Sequence, residues 1–400
     1  MINREQYLAK LRQLKDKRLI KVVSGVRRSG KSTLFEMFRD ELIGSGVSRD
    51  QIVFINFEDP EYAEGANYFK IYKDIQEQLL PNKMNYVFLD EIQNVPEFEK
   101  LADGLFIKKN VDLYMTGSNA YFLSSELATL LTGRYIEIKI LPLSFAEYVS
   151  AFEDRSRLDL LFQDYLVKGA FPQVAELMRD QSDLVNEYLM GLYHTVLFKD
   201  VIHRKGIGDR AALEHITRFI FDNVGNFTSP NKMAGYMTSN YRKIASRTVD
   251  TYLSALTDSF MVYPVNRYDI KGKRFLQTQQ KYYLVDTGMR TALLGNRGGD
   301  LGHVLENVVY LELKRRGNDV WIGKTDRHEV DFVAKDNQGN IAYYQVAYTA
   351  REQATLDREL ASLQNIADHN PKFLITNDVD PILDFGGIKK VNVIDWLLGR

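Results

Sequence analysis

Two stretches of the chain carry residue types at spacings suited to chemistry on a phosphate. The first is Gly25-Val26-Arg27-Arg28-Ser29-Gly30-Lys31-Ser32, which fits G-x-x-x-x-G-K-[ST] and runs on into Thr33. Its glycines let the backbone bend so that consecutive N–H groups converge on an anion, with a helix N-terminus behind them. There Lys31 would neutralise β- and γ-phosphates, and the Ser32 hydroxyl would hold Mg²⁺. The second is Asp90-Glu91, which ends an apolar run. Asp90 would join the Mg²⁺ shell, and Glu91 would accept a proton from the attacking water. Ser118 and Asn119 close another apolar run, where a polar side chain could orient that water or touch a γ-phosphate; a plain turn of small residues is the alternative. Arg134 precedes a further apolar run and could reach a phosphate, that of a neighbouring subunit first of all. Arg27 and Arg28, inside the loop, could face nucleotide, partner or DNA.

These groups need a scaffold that brings them to one edge. The apolar run at 19–23, with β-branched Val22 and Val23, reads as a buried strand entering the loop, and 32–38, with Leu34, Met37 and Phe38 apolar, as the helix leaving it. Runs at 51–59, 86–93, 111–119 and 135–140 read as further strands separated by helical stretches, each ending in polar residues. That pattern describes an open parallel sheet, whose ligands lie beyond the C-terminal strand ends. Residues 4–18 read as a short amphipathic helix presenting Tyr7, Leu8, Leu11 and Leu14.

The fold class is α/β, with four expected segments. The phosphate-loop domain takes 1–142, and a helical lid or connector takes 143–206, broken at Gly169-Ala170-Phe171-Pro172. Over 207–290, helices at 211–223, 231–237 and 248–260 precede two short strands around Lys271-Gly272-Lys273-Arg274, which suggests a winged helix-turn-helix. A small helical module without nucleic acid is the alternative. Over 291–400, helices at 303–311 and 354–367 and strands at 320–322, 329–333, 341–347, 373–376 and 391–394 predict a compact α/β domain.

Composition narrows the partners. A chain of 400 residues with 45% hydrophobic and 26% charged residues reads as a soluble protein of two or three domains. Its net charge of −1 gives no global positive field, so any nucleic-acid contact must be local. Arg242, Lys243 and Arg247 fall at the start of the would-be recognition helix, and Lys271, Lys273 and Arg274 on the wing. Solvated faces balanced by acids are the alternative for both clusters. With no cysteine, disulfides and Cys-based zinc sites are excluded. The charged N-terminus and the absence of a membrane-length apolar run predict a cytoplasmic protein with no membrane partner.

The ordered set Gly25–Ser32, Leu89-Asp90-Glu91-Ile92-Gln93, Thr116-Gly117-Ser118-Asn119, Leu131-Thr132-Gly133-Arg134, Leu141-Pro142-Leu143-Ser144-Phe145, Lys281-Tyr282-Tyr283-Leu284-Val285-Asp286-Thr287-Gly288 and Glu329-Val330-Asp331-Phe332 spans nearly the whole chain. In it the chain resembles the bacterial and archaeal AAA-type ATPases that carry a C-terminal region of uncertain function. The resemblance implies an ATPase core using ATP and Mg²⁺, then a winged helix, then a domain similar to PD-(D/E)xK (restriction-endonuclease-like) nucleases. It also implies that the second strand ends in a residue restraining the catalytic glutamate, a place that Asn56 matches. Glu306 and Asp331 match the nuclease helix Glu and strand Asp, but Gln345-Val346-Ala347 puts Gln for the acid and Ala for the lysine. A neutral amide is a weak ligand for a hard cation, and alanine cannot polarise water, so this domain is expected to be inactive. The combined expectation is ATP hydrolysis coupled to DNA binding or remodelling, in a possible homo-oligomer with Arg134 acting on the neighbour. The alternative is an ATP-dependent switch controlling protein contacts; a metal-dependent nuclease ranks last.

Overall fold

The apolar runs of the first part of the chain form five parallel strands, β1 (Ile20–Ser24), β2 (Ile52–Asn56), β3 (Asn85–Asp90), β4 (Val111–Gly117) and β5 (Tyr135–Lys139). Their order is β2-β3-β4-β1-β5. This computed structural model describes residues 2–63, 67–119, 131, 133–296, 300–325 and 328–400; Thr132, in one of the family motifs, lies outside them. β1 and β3 are buried along their whole length, as sheets covered on both faces require, hence their mostly apolar sequences, with the buried Lys21 of β1 paired to Asp112 of β4. Alternation along β1 sends Val22 to a cluster with Val87, Leu89, Met115 and Leu101, and Val23 to another with Leu34, Phe35, Phe38, Phe88 and Tyr114. Helix Glu5–Leu14 buries Tyr7, Leu8 and Leu11 in the second cluster. In register, Val23 lies opposite Thr116 on one side and Ile138 on the other. The C-terminal ends of β1, β3 and β4 therefore share one edge, at the point where the strand order doubles back.

The chain divides into two compact units, one of Asn3–Leu141 with Asp258–Phe260, the other of Pro142–Thr257 and Met261–Arg400. The second unit opens with helices, among them Phe145–Ser150, Leu158–Lys168, Pro172–Asp180 and Val185–Thr195, the last running on as a π-helix over Val196–His203. Three helices follow, Arg210–Asp222, Pro230–Asn240 and Ser246–Asp258, close to the predicted positions.

The strands after them correct the expected division at 290. β6 (Val262–Asp269) and β7 (Arg274–Leu284) form a hairpin, as a wing would, but it is one edge of an eight-stranded sheet. With β8 (Asp319–Lys324), β9 (Glu329–Lys335), β10 (Ile341–Ala347), β11 (Lys372–Thr376), β12 (Leu383–Asp384) and β13 (Ile388–Asn392), the order is β12-β13-β11-β10-β9-β8-β6-β7. β6 pairs in parallel with β8, Arg267 opposite Ile322, so 207–290 is not a separate module. At 8 and 11 residues, these strands are long enough to extend the sheet rather than stand as a short isolated ribbon.

Two helix starts also depart from the sequence reading. The strand expected at 391–394 stops at Asn392, whose Oδ1 accepts from the Ile394 and Asp395 N–H groups at 2.8 and 3.2 Å and opens helix Val393–Leu398. Helix Thr287–Leu294, not anticipated, starts at Asp286, whose carboxylate accepts from Met289 N–H at 2.8 Å and from Ala170 N–H at 2.6 Å. Burial pushes the Asp286 carboxyl up to about 6 against these backbone bonds. The approach of the two segments needs Gly288: a Cβ there would stand 2.0 Å from the Lys168 carbonyl oxygen, a backbone atom that cannot swing away. Gly288→Ala should accordingly lower Tm by several degrees, an overpacking cost of about 1–3 kcal/mol or more. A Tm equal to wild type in a thermal scan would show that these segments separate at no cost.

Among the described residues no helix is long and apolar enough to cross a membrane.

Candidate functional site

β1 delivers the chain into the loop at Gly25, where a Cβ would meet the Ile140 carbonyl oxygen at 2.3 Å, so only glycine fits. The loop turns through Arg28, at φ 66°, and Gly30, at φ 94°, into helix Lys31–Gly44. Lys31 is buried, its Nζ 3.2 and 3.3 Å from the carbonyl oxygens of Gly25 and Val26 and 3.1 Å from Glu91 Oε1. Ser29 is buried within the turn, Ser32 and Thr33 are half-buried on the helix, and Arg28 is exposed. Arg27 forms an ion pair with Glu58.

β3 places Asp90 fully inside and Glu91 just past the strand, at φ 52°. Thr116 on β4 joins the two: its hydroxyl donates to Asp90 Oδ1 at 2.5 Å and accepts from the Glu91 N–H at 2.8 Å. Burial raises the Asp90 carboxyl above its usual range, against the lowering effect of the nearby Ser32 and Thr116 hydroxyls. Asp90 Oδ2 is buried with no hydrogen-bond partner. An orphaned carboxylate oxygen beside the Ser32 hydroxyl is the donor set that a Mg²⁺ shell requires, so the residues present fit that ion. Glu91 titrates the other way. Burial would raise it, but Lys31, Gln93 and Arg27 together hold its carboxyl below the ordinary value.

Ser118 and Asn119 are both fully buried at the end of β4. The Gln93 amide nitrogen donates to Glu91 Oε2 and lies 3.3 Å from Ser118 Oγ. The sequence assigns Gln93 no role beyond closing the Leu89–Gln93 motif, two residues after Glu91. Asn56, expected to restrain the glutamate, is exposed, and its Oδ1 accepts from the Glu58 N–H at 2.9 Å. That geometry is an Asx-type turn cap, and the partners of the Glu91 carboxylate are Lys31 and Gln93 instead. Arg134 is nearly half exposed, paired with Asp103 and 5.7 Å from the Phe106 ring centre.

In the second unit, Lys243, Arg247, Lys271 and Lys273 are exposed, and Arg242 is exposed while paired with Asp209. Arg274 is exposed with Nε 3.4 Å from Asp269 Oδ2. Glu306, on helix Leu301–Arg315, and Asp331, on β9, face one buried cluster. Gln345 on β10 is directed elsewhere: its amide nitrogen donates to Glu359 Oε2 at 2.8 Å and its oxygen accepts from the Asp331 N–H at 3.3 Å.

One feature of this cluster corrects the expectation of a missing lysine. Lys281 enters from β7, its Nζ 3.0 Å from Glu306 Oε1, 2.7 Å from Glu329 Oε1 and 3.8 Å from Asp331 Oδ1. Tyr283 also donates to Glu306 Oε1, at 2.5 Å. Although burial works against its charge, the surrounding carboxylates hold Lys281 protonated above its usual range. Burial raises Glu306 too, but Lys281, His303 and Tyr283 outweigh it and bring its carboxyl down to about 2. Burial and the neighbouring Glu306 push Asp331 well up. The ammonium thus occupies the space between the acids, and no group of three or more His, Asp and Glu among the described residues is arranged to hold a metal.

Residues 17–149 match the model of the AAA domain, and residues 159–300 that of a domain of unknown function. With the parallel sheet and the Lys31–Asp90–Glu91 geometry, this gives residues 17–149 the fold of an AAA-type P-loop domain. The whole chain is 40% identical, over 407 residues, to an uncharacterized protein of Haemophilus influenzae, covering 100% of this chain and 99% of that one. It belongs to that protein's family. An uncharacterized protein of Methanocaldococcus jannaschii is 27% identical over 405 residues, covering 94% of this chain and 85% of that one. Among solved structures, a Walker-type ATPase of Pyrococcus abyssi shares the fold at a TM-score of 0.54 and 16% identity, covering 73% of this chain and 96% of that one.

Proposed function

We propose that the protein is a cytoplasmic Mg²⁺-dependent ATPase that couples ATP turnover to DNA. The observation that carries the ATPase reading is the convergence of Lys31, Asp90 and Glu91 at one sheet edge, with an orphaned oxygen on Asp90. The loop N–H groups and Lys31 bind the β- and γ-phosphates; Ser32 and Asp90 hold Mg²⁺, which when bound neutralises phosphate charge. Glu91, kept ionised, takes the proton of the attacking water. Ser118 and Asn119 are candidates to contact the γ-phosphate, and Arg134 acts from a neighbouring subunit in a homo-oligomer. Mixing Arg134→Ala with Glu91→Gln chains should then restore part of the activity; no recovery rejects action between subunits.

The DNA reading rests on the three helices and hairpin, with exposed Arg242, Lys243, Arg247, Lys271, Lys273 and Arg274. The nuclease-like cluster contributes no cleavage in it, since Gln345 and Ala347 stand where the motif has an acid and a lysine, and Lys281 pairs with Glu306 and Glu329 instead. ATP hydrolysis measured with duplex, single-stranded and branched DNA should be stimulated, and the stimulation should fade as salt rises. Charge reversal at Arg247 and Lys273 should abolish DNA binding and leave ATP binding intact. Hydrolysis indifferent to every DNA rejects the coupling in favour of a switch controlling protein contacts, the reading that the net charge of −1 favours.

A further inference from the structure

Glu91 and Gln93 belong to one tight piece of backbone. Glu91 adopts the left-handed conformation as the cap of a single 3₁₀ turn, Ile92–Asn94, and the turn brings the Gln93 side chain back over the carboxylate two residues before it. The Glu91 backbone is fixed separately, by Thr116. Its carboxylate is held at both ends, Oε1 by Lys31 at 3.1 Å and Oε2 by the Gln93 amide.

Those two holds differ in what nucleotide does to them. Lys31 is the phosphate-loop cation, and a triphosphate offers it more charge than one carboxylate does, so binding draws it away. The Gln93 amide is neutral and has no such competitor. Once Lys31 has left, it is the hydrogen-bond donor that still fixes where the Glu91 oxygens point. The same nitrogen lies 3.3 Å from Ser118 Oγ, so one amide touches both the base and the polar end of β4. Its other terminus, Oε1, is buried and has no hydrogen-bond partner. A buried amide oxygen costs free energy until a donor reaches it, and a water held beside Glu91 is such a donor.

We propose that Gln93 is a positioning residue for hydrolysis, linking Ser118 to Glu91 and keeping the base aimed after Lys31 has passed to the phosphates. This takes over, by a different route, the restraint expected of Asn56, and it rests on the ATPase reading above.

The test is a double-mutant cycle on the full chain, with ATP binding followed by a fluorescent ATP analogue and turnover by phosphate release. Gln93→Leu keeps the approximate volume and removes the donor. It should lower kcat roughly tenfold to a hundredfold, with KM and nucleotide affinity within about twofold of wild type. Ser118→Ala should lower kcat similarly, and the double variant should fall no further than the worse single one, because the two act in one chain of contacts. Gln93→Glu, isosteric and still able to bond Ser118, should lose kcat as well, since it sets a second carboxylate against Glu91; this variant also serves if Gln93→Leu does not fold. Wild-type kcat in a folded Gln93 variant, or losses that multiply in the double variant, overturns the proposal while leaving the ATPase reading standing. Absence of turnover in the wild-type chain overturns both.

Discussion

Glu91→Gln should cut ATP turnover about 10²–10⁴-fold at saturating nucleotide while ATP still binds. The substitution keeps the length and the hydrogen-bonding tip of the side chain, so the 3₁₀ turn and the Thr116 bond to the backbone remain. What it removes is the acceptor for the water's proton, since a carboxamide is not a base near neutral pH. It also removes the charge that holds Lys31 at 3.1 Å in the resting arrangement. Lys31 is then freer to meet phosphate, and nucleotide affinity should be equal to wild type or tighter. Lys31→Ala gives the opposite signature, loss of nucleotide itself, because the buried loop keeps its backbone donors but loses the cation. Nucleotide affinity and phosphate release, measured on the same two variants, separate these outcomes. Near-normal turnover in Glu91→Gln would mean that another group takes the proton.

The parts of this site that were legible in the sequence are those set by local pattern. Strands buried on both faces are largely apolar along their length, so 19–23 and 86–89 announce β1 and β3, and the spacing from Gly25 to Ser32 fixes the loop between strand and helix. The rest depends on contacts that pattern does not encode. A hairpin around Lys271–Arg274 looks the same whether it is a free wing or a sheet edge; pairing of β6 with β8, some fifty residues on, decides it. Lys281 was invisible as a site residue because motif logic seeks the lysine on β10, whereas β7 brings one to Glu306 from the opposite direction in sequence. Asn56 and Gln93 show the same limit at short range. Both are amides close to a carboxylate in the motif map, and only the backbone conformation after each strand determines which one reaches Glu91.

Lys281→Met is expected to destabilise the second unit by about 3–5 kcal/mol, the cost of breaking a buried ion cluster from one side. Glu306, Asp331 and Lys281 are all nearly inaccessible, so the carboxylates left behind have neither water nor cation. Glu329, about a third exposed, loses less because solvent screens it. The pH dependence follows from the shifts. The carboxyl of Glu306 is depressed to about 2 in the folded chain, so its pairing stabilises above the unfolded value near 4.3 and that stability is lost as pH falls toward 2. Asp331 is shifted upward and acts in the other sense, favouring the folded state as it takes up its proton. The variant lacks the Lys281–Glu306 attraction, so its deficit against wild type should be full at neutral pH and shrink as pH falls from about 4 toward 2, where Glu306 takes up its proton in wild type as well. Adding Glu306→Gln to Lys281→Met should recover part of the loss at neutral pH, because removing both partners leaves less uncompensated charge than removing one. Thermal unfolding of wild type, the single and the double variant across this pH range tests each step. Equal Tm for wild type and Lys281→Met at neutral pH would show that water, not Lys281, carries the burden of these acids.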